Sequence, residues 1–351
     1  VHGGIILSLE KMNKILEIDS ENMMATLEPG VITNEVNEKV AEIGLFFAGY
    51  PMSVETCFIG GNVAENAGGG RAVKYGVTDR YIMGLEVVLP DGDIISLGGK
   101  RVKDVTGYNL KQLFIGSEGT LGIITKVIVK LLPLPQAKVD LLILFKDINQ
   151  AIGIVPRIMT ETRIIPTSVE VMDQLSVQTS CRYLNEHLPY QKAGAMLLVE
   201  VDGNSQQEVE AEAEAIGELC IENEAIEVYV ADNATTQERV WAVRRNIAEA
   251  FMVFSPQQSI EDIVVPISAI AQVIQEIQEI ARKYDILIPC YGHAADGNLH
   301  VTLVKNPHHS HSQWMEIEHS VQLDLYQLVK EKGGTISGEH GIGSKRNCLL
   351  Y

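Results

Sequence analysis

The sequence predicts an α+β protein of two or three domains, and three observations carry that expectation. The chain has 351 residues, more than one ordinary domain holds. Its first 135 residues are rich in strand patterns and contain two glycine-rich segments. After Pro133 and Pro135 the pattern changes to alternating strands and helices, which suggests helices layered on one face of a sheet. Apolar residues at 46% and charged residues at 21% are ordinary for a globular chain, and they exclude disorder or a collagen-like repeat as the main state.

In the first part, residues 4–9 and 24–28 read as strands, and 31–43 has helical periodicity that breaks over 44–49. The first glycine-rich segment follows: Thr56-Cys-Phe-Ile-Gly60-Gly61-Asn62-Val-Ala-Glu-Asn66-Ala-Gly68-Gly69-Gly70. Residues 83–89 read as a strand, Pro90-Asp91-Gly92-Asp93 as a hairpin turn and 94–97 as the return strand. The second glycine-rich segment, Gly116-Ser-Glu118-Gly119-Thr-Leu-Gly122-Ile-Ile124-Thr, leads into a strand at 126–132. In the second part strands are expected at 138–145, 167–171, 194–201, 226–230, 260–265, 287–291 and 299–304. Helices are expected at about 147–159, 205–222, 235–253, 267–284 and 311–332. Ser205 and Glu208 suggest a capping box. The run from Glu208 to Glu214 reads as a solvated helix face, and no internal repeat is evident.

The 46 acidic residues against 28 basic ones leave a net charge of −18. That field repels phosphate backbones and anionic membranes, so nucleic acid is not an expected partner; solubility alone also accounts for it. The five cysteines, Cys57, Cys181, Cys220, Cys290 and Cys348, are scattered without a close-spaced pair. This fits a reducing, cytoplasmic compartment and argues against a disulfide framework or iron–sulfur ligation. No apolar run is long enough to span a bilayer, and no signal peptide opens the chain. Both ends look cut from a longer protein.

Glycine lets main-chain N–H groups approach a ligand's phosphates without a Cβ in the way, so two such segments suggest a phosphate-bearing ligand; a pair of tight turns is the alternative. Neither segment is the dinucleotide fingerprint G-x-G-x-x-G or the triphosphate loop, which disfavours a nicotinamide-binding domain, a kinase or an ATPase. Near the end, Gly292-His293-Ala-Ala-Asp296-Gly297-Asn298-Leu-His300 lies between two expected strands, and Gly338-Glu339-His340-Gly341 follows a long helix. Two histidines seven apart across a glycine-containing loop can converge on one ion, with a distant carboxylate completing a site for Zn²⁺, Mn²⁺ or Fe²⁺. Histidines that merely hydrogen-bond a loop give the same pattern. The cluster at His308, His309 and His311 has no acidic companion and reads as surface.

These motifs resemble the flavin-linked D-2-hydroxyacid dehydrogenases, the group of the glycolate oxidase flavoprotein subunit, D-lactate dehydrogenases and D-2-hydroxyglutarate dehydrogenase in the vanillyl-alcohol-oxidase superfamily. The likeness rests on Ile59-Gly-Gly-Asn-Val-Ala-Glu-Asn-Ala-Gly-Gly69, Lys74-Tyr-Gly76, Gly84-Leu-Glu-Val-Val-Leu89 and Leu113-Phe-Ile-Gly-Ser-Glu-Gly-Thr-Leu-Gly-Ile-Ile-Thr125, and it runs along the whole chain in order. It implies an FAD-binding domain over 1–135 of the type found in that superfamily, an α+β cap domain with a ferredoxin-like sheet over 136–305, and a helical segment with the last glycine-rich motif over 306–351. It implies FAD contacts from Thr56, Gly60, Gly61, Asn62, Asn66 and Gly68 in the first segment and from Gly119, Gly122 and Ile124 in the second.

The resemblance also makes His293, His300 and Glu339 the metal ligands and His340 the catalytic base. In Trp241-Ala-Val-Arg244-Arg245 it places Arg244 over a substrate carboxylate, whereas a helix arginine more commonly makes a surface ion pair. Departures are Pro51-Met52-Ser53 before the first motif, Ala295 in place of a glycine, and a first phosphate loop of the family that lies upstream of His2. The activity implied is FAD-dependent, metal-assisted oxidation of a small D-2-hydroxy acid to the 2-oxo acid. Electrons then pass to a separate acceptor: an iron–sulfur subunit, an electron-transfer flavoprotein or a quinone. Self-association as a homodimer is a further partner expectation, and any membrane association would run through a partner subunit. Two rival readings are a non-redox flavoenzyme of the same fold and a non-catalytic subunit of a glycolate-oxidase-type complex.

Overall fold

The computed structural model describes residues 4–346. The chain divides into two compact units, residues 4–134 with Glu339–Gly341, and residues 135–338 with 342–346. No helix among the described residues is long and apolar enough to cross a membrane.

In the first unit, β1 (Ile15–Asp19) and β2 (Met24–Leu27) precede α1 (Thr33–Ala41) and α2 (Ile59–Glu65). Then come β3 (Ile82–Val88), β4 (Ile94–Gly98) and β5 (Ile123–Lys130), completing an antiparallel sheet in the order β1-β2-β5-β3-β4. Alternation along β2, β3 and β5 buries Leu27, Leu85, Val87, Val127 and Val129 against Val36 and Val40 of α1 and Ile59 and Val63 of α2. The strand expected at residues 4–9 does not form. Ile5, Ile6 and Leu7 are exposed and pair with no strand among the described residues, and the sheet begins instead at Ile15. The first glycine-rich segment is a short helix rather than a free loop. The N–H groups of Ile59 and Gly60 donate to the Val31 and Pro29 carbonyls.

The second unit runs β6 (Ala137–Phe145), α3 (Ile148–Thr162), β7 (Ser168–Asp173), α4 (Gln174–Leu184), β8 (Ala195–Gly203), α5 (Gln206–Glu222) and β9 (Glu227–Ala231). It continues with α6 (Ala234–Arg245), α7 (Ile247–Phe254), β10 (Gln258–Val264), α8 (Ile270–Tyr284), β11 (Cys290–His293), β12 (Asn298–Val304) and α9 (His311–Glu331). Its seven strands pair in the order β9-β6-β8-β7-β11-β12-β10, every neighbouring pair antiparallel. Helices cover both faces, not one. Leu142, Leu144, Met196 and Leu198 pack under Val177 of α4, Val243 of α6 and Phe251 of α7. Val139 and Leu141 face the other way and line a groove with Ala213 and Gly217 of α5.

Sequence periodicity missed α4, a polar helix that Asp173 caps by accepting the Ser176 N–H. The single helix expected at 235–253 is broken at Asn246, whose side chain donates to the Ala242 carbonyl. Ser205 caps α5 through the Glu208 N–H, and a complete capping box forms instead at Ser310 and Gln313 of α9.

Candidate active site

Four neighbouring strands of the second unit build the site by register. Glu170 on β7 lies opposite His293 on β11, which lies opposite Asn298 on β12. One step along, Tyr291 lies opposite His300, which lies opposite Asp262 on β10. Because side chains alternate between faces, these residues all project from the same side of the sheet. The β11–β12 turn needs glycine at Gly297, where φ is +86° and a Cβ would run into the Val265 carbonyl. The hairpin brings the imidazoles of His293 and His300 together edge to face, with ring centroids 5.4 Å apart.

Glu170 is fully buried and fully engaged. Its Oε1 accepts from His293 Nδ1 at 2.6 Å and from Ser168 Oγ at 2.9 Å, and its Oε2 accepts from Arg244 Nε at 2.7 Å. Arg244 Nη2 lies 2.6 Å from the same oxygen. Burial pushes the Glu170 carboxyl up, but the charge of Arg244 and the hydrogen bonds from His293 and Ser168 outweigh it and bring the group down to about 2. Arg244 is only 3% exposed, and its guanidinium sits 5.0 Å from the Tyr291 ring centroid. Burial, against the charge of Arg244, pushes the Tyr291 hydroxyl up. Arg245, one residue on, points outward and pairs with Glu238.

Asp262 anchors the last motif. Its Oδ1 accepts from Asn298 Nδ2 at 2.7 Å, and its Oδ2 accepts from the Gly338 N–H at 2.9 Å and Ser337 Oγ at 3.0 Å. The His300 Nδ1 lies 4.0 Å from Oδ1. Its neighbour Glu261 projects to the opposite face and takes the Tyr326 hydroxyl, Gln322 and Arg346. The chain leaves Gly338 at a fixed point, and Glu339 follows directly. One ligand atom from each of His293, His300 and Glu339 lies within 4.8 Å of the other two. Two imidazoles and one carboxylate at this spacing suit a divalent transition metal with positions open to substrate. His340 is exposed.

In the first unit the structure brings the two glycine-rich segments together. The Gly116 and Glu118 N–H groups donate to the Val63 and Ala64 carbonyls at the end of α2. At Gly61 and Gly119 no atom lies within 4 Å of where a Cβ would stand. Gly60, Gly68 and Gly122 are glycine for packing: a Cβ would meet Pro29 at 2.5 Å, Val77 at 3.0 Å and Val87 at 2.6 Å respectively. Ile124 is buried on β5 and Thr56 is exposed before α2. Asn62 donates to Thr33 Oγ1 at 2.9 Å, and Asn66, left-handed at the end of α2, accepts the Asp79 N–H. Residues Glu339–Gly341 run beside this cradle. The Glu339 side chain is 3.9 Å from where a Gly68 Cβ would sit, and a Cβ on Gly341 would strike the Glu65 carboxylate. Burial, then the charge of Glu118, pushes the Glu65 carboxyl up.

Sequence reasoning singled out the two histidines and Arg244 but missed Glu170 and Asp262. Their signal was present: a lone carboxylate between valines in Val169-Glu170-Val171, and an acidic pair inside the apolar strand Ile260-Glu261-Asp262-Ile263. A charge in a buried strand has to be paired.

Residues 134–351 match the family described as FAD linked oxidases, C-terminal domain, and residues 1–98 match an FAD binding domain. The chain is 44% identical to a glycolate oxidase subunit GlcD of Bacillus subtilis, over 99% of this chain and 73% of that protein. It is 37% identical to a D-lactate dehydrogenase of Anaerostipes hadrus, over 98% of this chain and 73% of that one. Among solved structures, p-cresol methylhydroxylase superposes with a TM-score of 0.75 at 19% identity, over 95% of this chain and 72% of that one. An alkyldihydroxyacetonephosphate synthase superposes at 0.71 and 20% identity, over 93% and 63%. At such identities the likeness is one of fold. The paired glycine-rich segments, the two family matches and the relatives agree: the chain belongs to the FAD-linked oxidases, in the group of the glycolate oxidase flavoprotein subunit and D-lactate dehydrogenase.

Proposed function

We propose that this chain oxidises a small D-2-hydroxy acid of the lactate or glycolate class to the 2-oxo acid, using FAD and one divalent transition metal. The observation that carries this reading is the convergence of His293, His300 and Glu339. The names of the relatives, glycolate oxidase subunit and D-lactate dehydrogenase, support the substrate class. When bound, FAD supplies the hydride acceptor and the metal a Lewis acid at the substrate hydroxyl.

His293, His300 and Glu339 would hold the metal, and the glycine-rich segments around Gly61 and Gly119 would hold FAD. Arg244 keeps one edge on Glu170 and offers its remaining N–H groups to the substrate carboxylate. His340 takes the hydroxyl proton on a ring nitrogen as the C2–H bond is lost as hydride, because a carbinol is too weak an acid to release its proton unaided. Electrons then leave to a separate acceptor: an iron–sulfur subunit, an electron-transfer flavoprotein or a quinone. The Bacillus subtilis relative is itself named as a subunit, and the cysteines of this chain lack cluster-binding spacing.

The test is anaerobic reduction of the flavoprotein by a panel of D- and L-2-hydroxy acids, read as bleaching of flavin absorbance with release of 2-oxo acid. D-acids are expected to bleach it, and a flavin left oxidised by every acid rejects the reading. His340→Asn should keep FAD and metal while slowing flavin reduction in stopped flow by about 10²–10⁴-fold. A near-normal rate with both groups bound removes His340 from the role of base.

A further inference from the structure

We infer that Glu170 is a positioning residue that decides which nitrogen of His293 faces the metal. The inference rests on the metal reading proposed above and concerns a residue to which the family comparison assigns nothing.

An imidazole has two nitrogens, and the neutral ring carries a proton on only one. A metal needs the lone pair of the other. Whichever nitrogen is held as an N–H donor therefore determines which one can ligate. Glu170 Oε1 lies 2.6 Å from His293 Nδ1, and both side chains are buried. A carboxylate oxygen can only accept, so it keeps the proton on Nδ1 and leaves the lone pair on Nε2.

The geometry is fixed from three sides. Cross-strand register places Glu170 directly opposite His293. Ser168 Oγ donates to the same Oε1, and Arg244 holds Oε2. The carboxylate thus cannot turn away from His293 without breaking bonds to a hydroxyl and to a buried cation. His300 is held differently: its Nδ1 is 4.0 Å from Asp262, beyond hydrogen-bonding distance. Glu170 is therefore the stronger orienting contact of the two.

The experiment compares two double variants that both remove the buried ion pair. Glu170→Gln/Arg244→Met retains an accepting oxygen opposite His293 Nδ1, and Glu170→Met/Arg244→Met does not. Replacing a buried ion pair by apolar side chains of similar volume is often tolerated, and thermal melts verify that both proteins fold. Each is stripped of metal and titrated with Zn²⁺ against a chromophoric chelator. The Met/Met protein is expected to bind Zn²⁺ about 10–100-fold more weakly than the Gln/Met protein, the usual effect of losing such an outer contact. Equal affinities overturn the inference. A second measurement needs no substitution at Glu170: ¹⁵N spectra of the histidine-labelled, metal-free wild type, with His293 assigned through His293→Gln. The expected spectrum shows a protonated Nδ1 and an unprotonated Nε2, and the opposite tautomer overturns the assignment. Wild type that binds no Zn²⁺, Mn²⁺ or Fe²⁺ at all defeats the metal reading itself, which is distinct from wild type that binds metal while the two variants match.

Discussion

His293 and His300 lie opposite acids that register delivers to them, so their removal should be felt at the ion before it is felt by the fold. Either His293→Ala or His300→Ala is expected to abolish stoichiometric metal, read by elemental analysis of the purified protein; unchanged content in both variants returns them to loop-holding histidines. Arg244→Ala should lower kcat/KM for the hydroxy acid by about 30–1000-fold, the worth of a desolvated charge-assisted contact. Arg245→Ala should change it little, because Arg245 faces solvent beside Glu238. The structure adds a second consequence for Arg244→Ala: it strands the Glu170 charge, at a cost of about 3–5 kcal/mol in stability that a urea titration would read. The histidines and Arg244 were legible in the sequence because they sit in distinctive local patterns. Glu170 and Asp262 were not, because their meaning lies in which strand lies opposite, and pairing order is not a local property.

Strands and helices with strong periodicity were readable to within a few residues. The exceptions share a physical cause: local pattern was outvoted by partners. Residues 4–9 have a strand's composition but pair with no strand among the described residues, whereas Gln174–Leu184 is a polar helix held by its cap and by packing on β7 and α7. The β11–β12 hairpin is the element on which the site depends most. Gly297→Ala forces a left-handed residue with a Cβ against the Val265 carbonyl, and it is expected to cost at least about 2 kcal/mol. An accompanying loss of metal would show that the turn sets the spacing of the two histidines; a melting temperature equal to wild type would rule out the strain.

The net charge of −18 and the fold class were available from composition and pattern, but the covering of the second sheet on both faces was not, since it depends on the direction of each crossover. FAD is expected to be non-covalent, because neither glycine-rich segment presents a histidine and Cys57 is engaged with Thr33. Acid precipitation should leave the yellow colour in the supernatant; colour in the pellet would show attachment. Thiol reactivity should follow burial. Burial pushes the Cys220 thiol up to about 12 and the Cys290 thiol well above its ordinary value, so at pH 8 both stay as unreactive thiols. Iodoacetamide should therefore modify Cys57 well before Cys181, Cys220 or Cys290 in the native protein, as peptide mass spectrometry would show.

Glu261 and Asp262 stand side by side on β10 and serve opposite faces, one holding α9 and Arg346, the other holding Asn298 and Gly338. A strand side chain changes face with every residue, so a slip of β10 by a single position would turn the Asp262 carboxylate away from Asn298 and Gly338 and bury it without them. β10 is the last strand of its sheet, paired with β12 and bridged at Val264 to Thr335, and a mispaired edge is otherwise inexpensive to make. The adjacent acids thus work as a proofreading device for strand alignment: a refolded chain in which Asp262 again holds Asn298 and Gly338 has also recovered the register of its outermost strand.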